Sequence, residues 1–98
     1  MKPEAFYREK LTACGVPEHM HDGVIRYLLH GLPPGSFLIA VLSNDLKGAC
    51  DRADVANRVA LYRYVKFLYN YVPLAAWGTP AHVTAWLAQW PQAKGDSR

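Results

Sequence analysis

The stretch DVANRVALYRYVKFLYNYV, residues 54–72, has the clearest helical pattern in the sequence. Asp54 is a residue type that caps helix N-termini. Val72-Pro73 marks the C-terminal end of the helix, because a proline disfavours helical backbone geometry in the residue before it. We therefore predict a helix from Val55 to about Tyr71. Its apolar residues recur every three or four positions, as is typical of one buried face, and they are Leu61, Val65, Leu68 and Val72.

A second pattern follows the polar side of this helix, where cations and aromatic residues alternate at spacings of four, four and three: Arg58, Tyr62, Lys66 and Tyr69. On a continuous helix these side chains share one face, which Arg63 and Asn70 border. Such a face can bind nucleic acid or an acidic protein patch. It can equally be a solvated face on which long side chains lie along their neighbours.

The N-terminal part of the chain also predicts helices. Good helix formers fill the stretch from Glu4 to Cys14, which begins after Pro3 and ends before Gly15. A second helix is predicted from Pro17 to Gly31. Proline is tolerated in a first helical turn, and glycine readily adopts the left-handed conformation that ends a helix.

The segment Leu32-Pro33-Pro34-Gly35 cannot continue a helix, because its two prolines lack amide donors. Ser36 is predicted as the N-cap of a third helix. Phe37–Leu42 is apolar nearly all round, which favours a central helix, although so short a run also allows a strand. A break and restart are expected near Ser43 to Asp45.

Thr79-Pro80 predicts the start of a last helix, because a capping residue precedes a proline. Val83, Trp86, Leu87 and Trp90 follow at helical spacing, and Pro91 closes the element. Trp86 belongs to the apolar stripe. Trp90 lies at the helix end and is the tryptophan best placed to be an exposed anchor.

Together these elements predict an all-α fold, a compact single-domain bundle of about four to six helices. We expect one domain over residues 1–91 and a polar, frayed tail over residues 92–98. The chain has 98 residues, of which 51% are hydrophobic and 19% charged, and this composition excludes general disorder. The net charge of +3 comes from scattered residues and does not by itself indicate nucleic-acid binding.

No motif indicates catalysis or a bound metal. His19 and His21 are two residues apart, so on a helix they point in different directions, whereas paired ligands prefer a spacing of three or four. Cys14 and Cys50 lie in no recognisable nucleophile motif and are expected to be free thiols. We expect no enzyme activity, no catalytic residue, no cofactor, no metal and no small-molecule substrate.

The sequence predicts neither a leader peptide nor a membrane span. Its longest apolar stretches are much shorter than the roughly 20 residues that cross a bilayer. We therefore expect a cytoplasmic protein without a membrane partner.

Several short motifs resemble those of small proteins from phages and other mobile elements. They are Pro33-Pro34-Gly35-Ser36-Phe37-Leu38, Val41-Leu42-Ser43-Asn44-Asp45-Leu46, Phe67-Leu68-Tyr69-Asn70 and Trp77-Gly78-Thr79-Pro80. The resemblance covers roughly Gly15 to Trp90. It is to anti-CRISPR proteins that inhibit type I CRISPR-Cas surveillance complexes.

This resemblance implies stoichiometric protein–protein binding in the cytoplasm of a bacterial host. The partners would be Cas protein subunits of a type I surveillance complex, and no direct nucleic-acid contact is required. Binding would sterically block target DNA or the recruitment of the nuclease-helicase. Many such inhibitors imitate DNA with an acidic surface, whereas this chain is basic, so a mixed aromatic and basic face is the expected contact.

We predict six partner-binding residues: Arg58, Tyr62, Arg63, Lys66, Tyr69 and Trp90. Two other classes of function remain open. A small helical nucleic-acid-binding regulator would place Arg58, Arg63 and Lys66 on phosphates. A phage structural or assembly protein would instead bury Trp90 or the tyrosines in a permanent oligomer.

Overall fold

The structure, a computed structural model, describes residues 2–90, and all regular secondary structure in that range is helical. It contains seven α-helices: α1 (Glu4–Cys14), α2 (His21–His30), α3 (Ser36–Leu42), α4 (Leu46–Arg52), α5 (Val55–Val59), α6 (Leu61–Tyr71) and α7 (Pro80–Ala88). Two single 3-10 turns, Glu18–Met20 and Leu74–Ala76, precede α2 and follow α6. The all-α prediction is confirmed, with more helices than the four to six expected. The predicted tail and Pro91 lie outside the described residues.

Helices α1 and α2 both end at a glycine, as predicted. Gly15 has φ 83° and Gly31 has φ 64°, both in the left-handed region that glycine adopts without steric cost. The helix predicted from Pro17 is different at its start, where a 3-10 turn precedes α2. His21 begins α2 and is buried, and its Nε2 donates to the carbonyl oxygen of Val16 at 2.8 Å.

Residues 36–42 form helix α3, which rejects the strand alternative, and most of its side chains are buried. The prediction of Ser36 as N-cap is wrong. Gly35 occupies that position with extended backbone, and Ser36 is already helical, so no side chain caps the helix. The predicted break is confirmed: Asn44 is left-handed with φ 64°, and the Asp45 carboxylate then caps α4 by accepting from the Gly48 amide at 3.0 Å.

The long predicted helix is interrupted at Ala60, which has φ −102° and ψ 5°. Asp54 caps α5 as predicted, accepting from the Asn57 amide at 2.8 Å. Across the break, the Tyr64 hydroxyl donates to the Asn57 side-chain oxygen at 2.5 Å, and both residues are buried. Neither Gly nor Pro marks this position, so the interruption has no local sequence signal.

The buried side of α6 differs in part from the predicted one. The buried face is Ala60, Tyr64, Phe67 and Leu68, with Tyr71 half-buried. Val65, predicted to be buried, is 49% exposed. Because aromatic Tyr64 and Phe67 fill the interior and Asn57 satisfies the Tyr64 hydroxyl, the apolar stripe of the prediction is only partly correct.

The buried side chains of α1, α2, α3 and α6 meet in one hydrophobic core. Tyr7 of α1 packs edge-on against Phe67, with ring centroids 6.3 Å apart. Tyr27 of α2 is fully buried and donates to the carbonyl oxygen of Ala76 at 2.6 Å. This bond ties the segment before α7 to the core. No helix within residues 2–90 is long and apolar enough to cross a membrane.

Helix α7 begins as predicted. Thr79 Oγ1 accepts from the His82 amide at 3.0 Å, and Pro80 takes the first helical position. Trp86 is half-buried and donates its indole N–H to the carbonyl oxygen of Tyr27 at 3.2 Å. The ring of Trp90 packs so closely on Gly31 that a methyl group there would overlap it.

Replacing Gly31 by alanine tests this packing. A Gly31→Ala variant must place a β-carbon on left-handed backbone and into the Trp90 ring, so we expect it to lose about 2 to 4 kcal/mol of unfolding free energy. Gly35→Ala is the matched control, because open space surrounds Gly35 and it should cost about 1 kcal/mol or less. Urea denaturation followed by circular dichroism measures both, and equal losses would contradict the packing.

Candidate protein-interaction surface

Large apolar side chains are exposed along α4, α5 and α6. Six exposed large apolar residues lie between positions 46 and 69: Leu46, Val55, Val59, Tyr62, Val65 and Tyr69. In the rest of the described range only Leu32 and Leu74 are exposed in this way. Tyr69 is 79% exposed and Tyr62 72%. Single exposed hydrophobic residues are normal on a protein surface, whereas grouped ones indicate an interaction site. We call these six residues the α5–α6 surface.

A groove runs beside this surface, between α6 and the corner that joins α3 to α4. Leu61, Tyr62 and Val65 line one side. Val41, Leu46 and Ala49 are among the residues on the other. Its volume is about 200 Å³. The left-handed turn at Asn44 allows α4 to fold back after α3, and this leaves Leu46, the first residue of α4, 70% exposed at the edge of the groove.

The α5–α6 surface is flanked by positive charge. Residues 55–71 contain Arg58, Arg63 and Lys66 but no Asp or Glu, and all three cations are exposed. None of them forms an ion pair with a carboxylate within residues 2–90; the ion pairs there involve Arg8, His19 and Lys47. A partner carboxylate could therefore approach these cations without displacing another.

Two of the cations are held by backbone carbonyl groups. Arg58 donates to the carbonyl oxygen of Ala53 at 3.3 Å, beside the start of α5. Arg63 donates to the carbonyl oxygen of Gly15 at 3.4 Å, so its guanidinium lies towards the end of α1. Lys47 lowers the pKa of Asp51 by hydrogen bonding, and Arg58 adds a weaker electrostatic contribution. Arg58 is therefore close to the C-terminal part of α4.

Five of the six predicted partner-binding residues are exposed, and only Trp90 is not. Tyr62, Lys66 and Tyr69 are exposed on α6, and Arg58 is exposed on α5. Arg63 borders α1 instead. Trp90 is half-buried, because Gly31 leaves room for its ring and Trp86 packs edge-on against it with centroids 5.5 Å apart.

Four members of the α5–α6 surface are not among the predicted partner-binding residues: Leu46, Val55, Val59 and Val65. A signal was present, since Val55, Val59, Tyr62, Val65 and Tyr69 follow at spacings of four, three, three and four. That spacing predicts one apolar helix face but not whether the face is buried. In the structure these five side chains are exposed.

The four tyrosines of α6 have two different environments. Tyr64 is buried, and burial raises the pKa of its hydroxyl well above the ordinary value. Tyr71 is half-buried and packs against Phe6 of α1, with centroids 6.1 Å apart. Tyr62 and Tyr69 are exposed, so two large rings with hydroxyl groups are available for a contact.

The residues that could support chemistry are dispersed. Within residues 2–90, no group of three or more His, Cys, Asp or Glu side chains is placed to hold a metal ion. Cys14 is buried, Cys50 is half-buried, and they form no disulfide with each other. Comparison of the chain with family models, with curated proteins and with solved structures gives no match.

Alanine substitutions in α6 distinguish surface rings from core rings. We expect Tyr62→Ala and Tyr69→Ala each to change the unfolding free energy by about 0.5 kcal/mol or less, because both rings are exposed. Tyr64→Ala should cost about 3 to 5 kcal/mol, because it leaves a cavity and deprives Asn57 of its donor. Chemical denaturation of the three variants gives the comparison, and a large loss at Tyr62 or Tyr69 would contradict their exposure.

Proposed function

We propose that this chain acts by binding another protein through the α5–α6 surface. The observation that carries the proposal is the set of six exposed apolar side chains on α4, α5 and α6, three of which line a mainly apolar groove, together with exposed cations free of ion pairs among the described residues. Apolar and aromatic groups with a charged rim are the usual anatomy of a protein interface. Exposing Val55, Val59, Tyr62 and Tyr69 to water does not stabilise the folded chain, whereas burying them against a partner would be favourable.

We further propose that the partner is a Cas subunit of a type I CRISPR-Cas surveillance complex. This part rests on the resemblance of the motifs between Gly15 and Trp90 to anti-CRISPR proteins. The chain would act in the cytoplasm of a bacterial host, where it would bind its target stoichiometrically. It would sterically block target DNA binding or recruitment of the nuclease-helicase.

The charge of the surface indicates which kind of blocking is supported. Residues 55–71 contain no carboxylate, so this surface cannot present the row of negative charges that imitates DNA phosphates. Inhibition would therefore depend on occupying a protein surface. Tyr62 and Tyr69 are suited to anchor it, because an aromatic ring buries a large area while losing little conformational entropy.

A pull-down tests both parts of the proposal. Tagged protein is incubated with lysates that contain type I surveillance complexes, and any recovered complex is assayed for target-DNA binding. We expect Cas subunits to be captured. Lost DNA binding would indicate a block at the DNA channel, and retained binding would indicate blocked nuclease recruitment. Recovery of no Cas subunit would contradict the proposed partner.

The same pull-down locates the surface with matched variants. Tyr62→Ala/Tyr69→Ala should weaken the affinity by about a thousandfold and so abolish capture, since two anchoring rings are worth about 2 kcal/mol each. Leu74→Ala is the control, because Leu74 is 64% exposed but lies outside the α5–α6 surface. Equal capture by both variants and the wild type would place the contact elsewhere.

A nucleic-acid-binding regulator is the second candidate, and the exposed cations that lack carboxylate partners favour it. Arg58, Arg63 and Lys66 could neutralise about three phosphates, which corresponds to a slope near −2.7 in a plot of log affinity against log salt. Arg63 lies towards Gly15, however, and the apolar side chains of this surface have no role on a duplex backbone. A mobility shift of duplex DNA with that salt dependence would favour the regulator.

A further inference from the structure

The groove beside α6 is too small for a typical free ligand. Its volume is about 200 Å³, whereas small-molecule sites usually occupy about 300 to 1,000 Å³. Its walls are mainly apolar, with Leu46, Leu61 and Val65 among them. A groove of this size accommodates one or two side chains from a larger partner, which are the anchoring residues of an interface.

The exposed apolar residues of α6 have the spacing of a helix-packing face. Tyr62, Val65 and Tyr69 are at positions i, i+3 and i+7, so they cover two turns, or about 10 Å along the axis. A second helix laid against such a row presents apolar residues at the same spacing. The groove beside Tyr62 and Val65 then receives side chains from the facing helix.

The charges of the surface select among possible helices. Arg58 and Lys66 are exposed on α5 and α6, and neither forms an ion pair within residues 2–90. Two carboxylates are nearby, because Asp45 lines the groove and Arg58 lowers the pKa of Asp51, but both cations remain available to a partner. A second copy of this chain, paired through the same face, would place cations opposite cations, which is unfavourable. A helix with carboxylates beside its apolar row would place opposite charges together.

We infer that the segment recognised by the α5–α6 surface is an acidic amphipathic helix of the partner protein. Its apolar side chains occupy the groove and pack on Tyr62, Val65 and Tyr69. Its carboxylates pair with Arg58 and Lys66. The inference rests on the proposed protein-binding function and adds the chemistry of the element that is bound.

Two synthetic peptides provide the probe. Each is about 20 residues long, enough to form a helix, with Leu at i, i+3, i+4 and i+7. The flanking positions are Glu in one peptide and Lys in the other. We expect the acidic peptide to bind about tenfold more tightly, from charge pairing in one case and repulsion in the other. Amide shifts in nuclear magnetic resonance spectra should map to α4 and α6, and added salt should reduce the difference.

Charge reversal in the protein provides the matched test. Arg58→Glu/Lys66→Glu should invert the preference, so that the basic peptide binds more tightly. Arg26→Glu is the control and should leave the preference unchanged, because Arg26 is exposed but lies beside a different depression, next to Pro33 and Pro34. Circular dichroism shows whether each variant retains its helix content.

Several results would overturn the inference. These are equal binding of both peptides by the wild type, amide shifts confined to other helices, and binding of duplex DNA by this face without binding of the acidic peptide. Concentration-dependent shifts of the same residues without peptide would identify a second copy as the occupant.

The inference and the proposed function can fail separately. If Arg58→Glu/Lys66→Glu still captures the surveillance complex while Tyr62→Ala/Tyr69→Ala does not, the proposed function stands and the acidic helix is wrong. If the wild type prefers the acidic peptide but captures no Cas subunit, the acidic helix stands and the proposed partner is wrong.

Discussion

The hydrogen bond from the Tyr64 hydroxyl to Asn57 is the interaction that fixes α6 against α5. It joins two buried residues across the break at Ala60 and leaves neither polar group unsatisfied. With Tyr64 and Phe67 inside, the opposite side of α6 must face solvent. The exposure of Tyr62, Val65 and Tyr69 is therefore a consequence of how the core is filled.

The α5–α6 surface combines this exposed row with its electrostatic surroundings. Leu46 and the groove come from the corner between α3 and α4, which depends on the left-handed Asn44 and the Asp45 cap. The cations come from α5 and α6, and none of them forms an ion pair within residues 2–90. Apolar area provides the driving force for association, and the positive rim restricts the partners to those with complementary charge.

Features set by local chemistry could be predicted from the sequence, and features set by long-range packing could not. Gly15, Asp54 and Thr79-Pro80 bound helices because each acts on the few residues beside it. The break at Ala60 has no such signal. It coincides with a side-chain pair seven positions apart. For the same reason helical periodicity predicts that Val65 is buried, and it does not predict the packing of Trp90 on Gly31.

Site-specific photo-crosslinking from position 69 tests the central claim most directly. A benzoylphenylalanine that replaces Tyr69 retains a large exposed ring on α6, and the same residue at Leu74 is the control. The protein is irradiated in host cells that contain a type I surveillance complex, and crosslinked partners are identified by mass spectrometry. We expect a crosslink to a Cas subunit from position 69 and not from position 74. Crosslinks from position 74 alone, or none to any Cas subunit, would contradict the account.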